Sequence, residues 1–153
     1  MVYEKSCGAL VVRREGEKYF ILMIRHKAKG NRSFPKGHVE AGETEYITAM
    51  REVMEETSSR IAILSDFRAT VNYSPSPGVM KEVVYFRAFT TSADIKPREG
   101  EIAEVEWIPL EDAEHCLAHE NDKTVLRSAM RKLRRIQARK RKKERASANS
   151  KNK

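Results

Sequence analysis

Runs of hydrophobic residues divide the first two thirds of the chain into a series of short predicted strands. Strands are predicted at residues 5–14, 19–24, 61–64, 67–73, 81–89 and 105–108, with interruptions at the basic loop 25–33 and the proline-rich stretch 74–78. The apolar run at 19–24 is continuous, which is typical of a central strand covered on both faces. The polar turn that precedes it predicts a hairpin with 5–14.

Helical periodicity appears three times. The first helix follows a turn at Phe34–His38, and its apolar face runs through Ile47, Met50, Val53 or Met54, and Thr57. We expect that face to pack inward and the acidic face opposite to look out. A second helix is predicted at 111–118. A third begins at Asn121 or Asp122, and its apolar stripe ends at Ile136. Strands that bracket a helix predict an α/β fold, a mixed sheet with helices on both sides.

Composition and cysteine content indicate the cellular compartment of the protein. Hydrophobic residues make up 40% of the chain, which is ordinary for a globular protein, and no apolar run approaches the ~20 residues of a membrane span. The first ten residues lack the layout of a secretion signal. Cys7 and Cys116 lie far apart in sequence, so two free buried thiols are expected rather than a disulfide. These features together favour a cytoplasmic protein without membrane contact.

The net charge of +8 belongs to one end of the chain. Residues 131–153 carry 12 Lys or Arg and one acid, whereas residues 1–130 carry 18 basic and 21 acidic residues. The sequence therefore predicts a mildly acidic domain at 1–136 and a basic, disordered tail at 137–153. The tail is either a weak contact for nucleic acid or a solubilising end.

Three glutamates provide the candidate chemistry. Glu52, Glu55 and Glu56 have i, i+3 and i+4 spacing, which puts them on one face of the first helix, where like charges repel. A hard divalent cation such as Mg²⁺ would offset that repulsion and would bridge to phosphates. The alternative from spacing alone is an ordinary solvated acidic face.

The longer pattern favours the metal. Gly37, five residues, Glu43, seven residues, and then Arg51-Glu52-Val53-x-Glu55-Glu56 resemble the Nudix box, the signature of the Nudix hydrolases. This resemblance implies a Nudix-type α/β/α sandwich with a mixed central sheet. It also implies Mg²⁺, for which Mn²⁺ can substitute. The ligands it implies are the Gly37 carbonyl and the carboxylates of Glu52, Glu55 and Glu56, which Arg51 orients through a salt bridge to Glu43.

One departure from the box concerns the end of the helix. Nudix proteins usually close the box with Gly and an aliphatic residue, where this chain has Ser58 and Ser59. Glycine would serve as a left-handed cap, a conformation that costs Ser about 1–2 kcal/mol. We therefore expect a different helix end, with a longer turn through Arg60.

The catalytic base is assigned by resemblance to one of two glutamates. Nudix enzymes recruit a base from the box or from a later loop, so Glu52 is the first choice and Glu101 the second. Glu101 lies in an acidic loop, where a solvated surface role is equally expected.

Substrate-binding residues come from outside the acidic helix. Phe34 to Thr44 resembles the version of the motif found in bis(5′-nucleosyl)-tetraphosphatases, and so do the opening residues, 81–86 and 101–107. Four residues are assigned to substrate binding: Lys36 and His38 on phosphate, and Lys81 and Tyr85 on one face of strand 81–89, with Tyr85 stacking on a base. A tyrosine that fills the core is the alternative for Tyr85, and Tyr73 is a weaker stacking candidate.

Two further observations bear on the substrate. Many relatives have Trp where this chain has Arg32, and an arginine there could meet a phosphate of a longer polyphosphate. His115 and His119 have zinc-compatible spacing but no partner motif, so we treat them as surface residues.

The leading hypothesis is a metal-dependent hydrolase that cleaves diadenosine tetraphosphate to ATP and AMP by water attack on a phosphorus. The alternatives within enzymes are hydrolysis of nucleoside triphosphates, inositol pyrophosphates or RNA 5′-end pyrophosphate. An alternative of another class is an RNA- or ribosome-associated module that retains a Nudix fold. The intact Arg51, Glu52, Glu55 and Glu56 favour an enzyme.

Overall fold

A mixed sheet organises the computed structural model, which describes residues 1–28 and 30–151. Lys29, Asn152 and Lys153 lie outside the described residues, although the predicted loop 25–33 and tail 137–153 include them. The strands are β1 (Val2–Glu15), β2 (Lys18–His26), β3 (Arg32–Ser33), β4 (Lys36–His38), β5 (Ala62–Ser76), β6 (Val79–Phe89) and β7 (Ile102–Pro109). Each predicted strand is present, and the pieces at 61–64 and 67–73 are joined in β5 by an irregular register.

The order of the sheet is β3-β2-β1-β6-β5, with β4 paired to β1 and β7 paired to β2. β1 and β6 are parallel and the other pairs are antiparallel, including the predicted β1–β2 hairpin. The predicted break at 74–78 narrows to a Pro77-Gly78 turn, because Ser76 already pairs with Val79 across the hairpin. The mixed α/β sheet that the sequence predicts is confirmed.

Helices cover both faces of this sheet. The helices are α1 (Glu45–Thr57), α2 (Ala113–Cys116) and α3 (Glu120–Lys151), and a 3₁₀ turn at Leu110–Asp112 precedes α2. Val125, Leu126 and Ala129 of α3 pack on one sheet face, together with Val83 and Tyr85. Ala49 and Val53 of α1 belong to clusters on the other face. The helix predicted at 111–118 is therefore shorter than expected, only one α-helical turn after the 3₁₀ turn.

The orientation predicted for α1 is correct for Val53 and Thr57, which are buried, and wrong for Ile47, Met50 and Glu56. Its buried residues are Thr48, Ala49, Val53, Glu56 and Thr57, whereas Ile47, Met50 and Met54 are 36–48% exposed. The inward face of this helix is partly polar because it meets strand β4 and a cleft rather than only an apolar core. Hydrophobicity alone therefore predicts only part of the inward face.

The expectation of a disordered tail after residue 136 also differs from the structure. Helix α3 continues through the basic segment to Lys151 and has no break at Ile136. From Ala138 to Lys151 every residue is exposed, so local helix propensity rather than packing accounts for this extension. None of the helices in the described part of the chain has the length and apolar character that a membrane crossing requires.

Helix α1 ends where a Nudix glycine would end it. Ser58 adopts the left-handed conformation, with φ 63° and ψ 10°, and its backbone N–H donates to the carbonyl of Met54. Its hydroxyl donates to the Lys96 carbonyl at 3.3 Å. Ser58 is the non-glycine residue with positive φ in the described ranges. The prediction of a longer turn through Arg60 is therefore wrong, and the serine bears the conformational cost.

Replacing Ser58 with glycine should stabilise the fold. We expect Ser58→Gly to raise the free energy of unfolding by about 1 kcal/mol, because glycine adopts this conformation without a Cβ clash. Urea denaturation would measure the change. Ser58→Ala is the matched control, since it keeps the Cβ and loses the hydroxyl, and it should not stabilise. An unchanged or lower stability of the glycine variant would contradict the strain at this cap.

Candidate active site

Strand β4 and helix α1 approach each other most closely at Gly37 and Glu52. A Cβ placed on Gly37 would lie 2.0–2.4 Å from the carboxyl atoms of Glu52. A side chain at this position would force the flexible end of Glu52 to move away from the strand, so glycine allows the carboxylate to lie against the backbone of β4. This contact fixes Glu52, whose side chain is 12% exposed, against the backbone that was expected to supply a carbonyl ligand.

Arg51 holds the acidic residues in place. Its Nε and Nη2 donate to both carboxyl oxygens of Glu43 at 2.7 and 2.9 Å, and Nη2 also donates to the carbonyl of His38. Nη1 lies 2.7 Å from Glu52 and 3.2 Å from Glu55. The predicted salt bridge to Glu43 is thus present, and the same guanidinium reaches two further carboxylates.

These contacts keep Glu43 ionised. The hydrogen bonds from Arg51 lower the pKa of Glu43 to about 2, helped by the backbone N–H of Glu40, and the pKa of Arg51 rises in turn. The Thr48 hydroxyl donates to the same carboxylate at 2.9 Å. Glu43 is therefore a fixed anion at the start of α1, where it anchors Arg51.

Glu56 is buried with only partial compensation. It is 3% exposed, its Oε1 accepts the backbone N–H of Lys36 at 2.8 Å, and its Oε2 lies 4.0 Å from His26 Nε2. Burial raises the pKa of Glu56 to about 8, and the nearby Glu52 and Glu101 act in the same direction. A cation beside this carboxyl would favour its ionised form.

The loop before β7 docks on the end of α1. The backbone N–H groups of Lys96 and Arg98 donate to the carbonyls of Thr57 and Glu56, which the helix itself leaves without partners. Arg98 also lies 3.4 Å from Glu55 and 3.3 Å from Glu101. This docking brings Glu101 to the glutamate face of α1 from 45 residues away in sequence.

A polar cleft of about 510 Å³ joins these groups. The predicted site residues that line it are Lys36, Gly37, His38, Arg51, Glu52, Glu55, Glu56, Lys81 and Glu101. His26 and Arg98 also line the cleft, and neither was predicted from the sequence. Arg98 could have been found from its position three residues before Glu101, whereas no sequence signal distinguishes His26 from other loop histidines.

A second cavity of about 300 Å³ adjoins the cleft, and Lys36 and His26 border both. Its lining includes Tyr73, which is 36% exposed, and His119 and Asn121 from the start of α3. His119 is exposed, as predicted for a surface residue, and it also lines this cavity.

Tyr85 does not fit its predicted stacking role. It borders the second cavity but is only 1% exposed, packs edge-on against Phe34 at 5.7 Å, and belongs to the core. Burial and the nearby carboxyl of Asp122, which is also buried, raise the pKa of Tyr85 well above its usual range. The ring therefore has no free face for a base, and Tyr73, the weaker candidate, is the accessible tyrosine.

Arg32 does not point to a phosphate either. Its Nε and Nη2 donate to the two carboxyl oxygens of Glu106 on β7, at 3.1 and 3.4 Å. Arg32 is absent from the lining of both cavities. The suggestion that it selects longer polyphosphates therefore loses its support.

Comparison with known proteins agrees with this geometry. The family model of the NUDIX domain matches residues 2–130. The chain belongs to the NUDIX domain family. A solved structure of a Caenorhabditis elegans Ap4A hydrolase binary complex superposes on this Nudix fold with a TM-score of 0.77 and 27% identity, covering 85% of this chain and 97% of that one.

Relatives of two kinds share the sequence. The asymmetrical bis(5′-nucleosyl)-tetraphosphatase of Rattus norvegicus is 29% identical over 133 residues, which are 80% of this chain and 90% of that protein. The 8-oxo-(d)GTP phosphatase of Mycolicibacterium smegmatis is 38% identical over 95 residues, 62% of this chain. The chain spans 29% of the length of this phosphatase and 53% of the length of a second mycobacterial relative.

The donor set of this Nudix site suits a hard divalent cation. Glu52, Glu55 and Glu56 offer carboxylate oxygens to one cleft, and Glu56 is a buried acid that lacks a full positive partner. Within 1–28 and 30–151, no three Asp, Glu, His or Cys side chains are already arranged to hold a metal ion. Arg51 instead pairs with Glu52 and Glu55, so metal binding would require the carboxylates to turn toward the ion.

The Gly37–Glu52 contact predicts coupled mutations. Gly37→Ala should lower the free energy of unfolding by about 1–3 kcal/mol, because its Cβ overlaps the Glu52 carboxyl. In the double variant with Glu52→Ala, the overlap is removed and part of the loss should be recovered. Urea denaturation of both single variants and the double variant would measure this coupling. Strictly additive effects would contradict the close approach.

Proposed function

We propose that this protein is a metal-dependent Nudix pyrophosphohydrolase whose main substrate is diadenosine tetraphosphate, cleaved to ATP and AMP. The observation that carries the proposal is the pair of joined cavities. One is polar and lined by the glutamates, and the other holds Tyr73 and is large enough for a nucleoside. A polyphosphate that ends in a nucleoside matches this division.

The cleft supplies the groups that a phosphate chain needs. Lys36 and Lys81 border it and would pair with phosphate oxygens, and His38 lies at its edge with its side chain 66% exposed. Glu52, Glu55, Glu56 and the Gly37 carbonyl would hold Mg²⁺, or Mn²⁺ in its place. When bound, this ion would neutralise charge on the phosphates.

Glu52 is the proposed base that takes a proton from the attacking water. Its carboxylate lines the cleft between Gly37 and Arg51, and it would turn from Arg51 toward the water and the ion when metal and substrate bind. Glu101 is the second candidate, and it is less rigidly held, with its side chain 54% exposed and paired to Arg98. The proton leaves water, the new P–O bond forms, and the bond to the departing nucleotide breaks.

Tyr73 is the proposed stacking residue for one base. Its partly exposed ring lines the cavity opposite the start of α3, and stacking contributes about 1–3 kcal/mol per base. The tetraphosphatase relatives, covered over most of their length, add support for a dinucleoside substrate. Cys7 and Cys116 are both unpaired, which suits the reducing cytoplasm that we propose for this activity.

A substrate panel with Mg²⁺ tests the proposal. We expect equal amounts of ATP and AMP from diadenosine tetraphosphate, resolved by chromatography, at a higher kcat/KM than for nucleoside triphosphates or capped RNA. The doubly substituted Glu55→Gln, Glu56→Gln protein should lose turnover. Efficient hydrolysis of a triphosphate with no cleavage of the dinucleoside would overturn the substrate assignment, and no hydrolysis at all would favour a binding module.

Control variants separate the site from general effects of charge. Glu17→Gln with Glu111→Gln removes two exposed acids far from the cleft and should leave turnover unchanged. In thermal unfolding, Mg²⁺ should raise the Tm of the native protein and of this control but not of the cleft variant.

The identity of the base is tested in the turnover assay. Glu52→Gln should lower kcat by about 10²–10⁴, and a larger loss for Glu101→Gln would transfer the role of base to Glu101.

A second candidate function rests on Asp122. This residue is 8% exposed and lines the cavity beside Tyr73, the nucleoside cavity of the proposal. Burial raises its pKa, while Lys36 and His119 lower it. Its acceptor oxygens suit a purine with several N–H donors on its edge, such as an 8-oxo-guanine. Hydrolysis of an oxidised guanine triphosphate, the substrate in the name of one relative, is therefore the second candidate.

Substitution of Asp122 distinguishes the two candidates. If this carboxylate binds the base, Asp122→Asn should raise KM for 8-oxo-dGTP by about tenfold or more and affect diadenosine tetraphosphate less. Asp112→Asn, at an exposed acid of the neighbouring 3₁₀ turn, is the control and should change neither KM. Steady-state kinetics on both substrates would show it. Equal effects on both substrates would contradict base reading by Asp122.

A further inference from the structure

The basic end of helix α3 lies outside the part of the chain that matches the family. The NUDIX domain match ends at residue 130, and residues 131–151 then carry 11 Lys or Arg and one acid. Residues 1–130 have a small excess of acids. The positive charge is thus an addition to the hydrolase domain and is concentrated in one element.

This segment is a projecting rod. Residues 138–151 are all exposed and span about 21 Å at the rise of an α-helix. In the described residues, no salt bridge involves a side chain beyond Arg127. The cations of the rod therefore face solvent and are not neutralised by the protein.

The charges surround the helix and are not confined to one side. Residues 139–143 are five consecutive cations, which point in successive directions 100° apart around the axis. Arg135, Arg139 and Lys143 also follow one another at i, i+4 spacing, where like charges oppose the helix. Anions on several sides would relieve this repulsion.

The distribution of cationic side chains around the helix distinguishes between possible polyanionic partners. A helix that lies on a membrane needs an apolar face, and beyond Ile136 the nonpolar residues are only alanines. A nucleic-acid groove instead presents phosphates on both sides of an inserted helix. The B-form major groove is about 12 Å wide and accepts a helix of about 10–12 Å diameter, whereas the A-form groove of RNA is too narrow.

We propose that residues 131–151 form an arm that binds double-stranded DNA by lying in its major groove and contacting phosphates on both sides. Binding is independent of base sequence, because Lys and Arg reach the backbone along the whole rod. Asp122, at the nucleoside cavity, lies about 43 Å from Lys151 along the same helix. The arm thus holds DNA at the end of α3 that is remote from the hydrolase site.

Fluorescence anisotropy of a labelled 24-base-pair DNA duplex at several salt concentrations tests the arm in the full chain. The affinity should fall steeply with salt, by about 0.9 in log–log slope for each phosphate contacted. Arg141→Gln, Lys142→Gln and Lys143→Gln in one protein should reduce that slope by up to about 2.7 and weaken binding at low salt at least tenfold. Lys18→Gln, Arg60→Gln and Lys96→Gln, which remove three exposed cations from the hydrolase domain, should leave both unchanged.

Other results would overturn the arm. Equal loss of binding in the two triple variants would assign the contact to net charge rather than to the rod. Binding to an RNA duplex or a DNA single strand as tight as to the DNA duplex would exclude seating in a B-form groove. Binding to phosphatidylserine vesicles without binding to DNA would make the partner a membrane. Hydrolysis of small substrates should be the same in both triple variants, so a failed proposal about the arm is separable from a failed proposal about the reaction.

Discussion

The glutamate face of α1 depends on one guanidinium. Three carboxylates and a carbonyl around one end of the site would repel one another, and Arg51 lies within hydrogen-bonding distance of Glu43, Glu52, Glu55 and the His38 carbonyl. Because two guanidinium nitrogens donate to the Glu43 carboxylate, the orientation of the Arg51 side chain is fixed relative to Glu43. The rest of the site is arranged around this fixed cation: β4 is attached through His38, and Glu52 is pressed against Gly37.

Because of this arrangement, the inward face of α1 is less hydrophobic than the inward face of a helix that only packs on a core. Thr48, Glu56 and Thr57 occupy positions where aliphatic residues would pack, and Ile47, Met50 and Met54 lie partly in solvent. Burying a carboxyl without a full partner costs stability. The cost is offset by the sheet, since β1, β2 and β6 supply fully buried aliphatic residues to both faces. The fold therefore tolerates the polar residues on the inner face of α1, because the sheet supplies most of the apolar core.

The sequence predicted the strands well and the sides of the helix poorly, for physical reasons. Alternation in β6 and the continuous apolar run in β2 report burial directly, because a strand between two packed layers has few alternatives. In α1 the helical period was predicted correctly, but the side of the helix that faces inward was predicted only in part. From the sequence, Glu56 is expected at the surface, because its burial depends on strand β4 and on the hydrogen bond from the Lys36 amide. Motif spacing located Arg51, Glu43 and the glutamates. The sequence offered Tyr73 only as a weaker stacking candidate, and it did not indicate that His119 and Asp122 line the same cavity. These residues come from β5, from the position before α3 and from α3, and only tertiary packing brings them together.

The two cavities place a limit on what the site can discriminate. Only the cavity beside Tyr73 has an aromatic lining, and the larger cleft is bordered by charged, small and histidine side chains. Under the proposed function, one nucleoside would stack beside Tyr73, while the described residues that line the larger cleft offer no Phe, Tyr or Trp ring to a second nucleoside at the far end of a phosphate chain. A dinucleoside and a mononucleoside polyphosphate would then differ in the charge and length of the phosphate chain that Lys36, Lys81 and a cation held by the glutamates would neutralise in the cleft. Relatives named for both kinds of substrate match this chain in sequence, which fits a site that discriminates by charge and length.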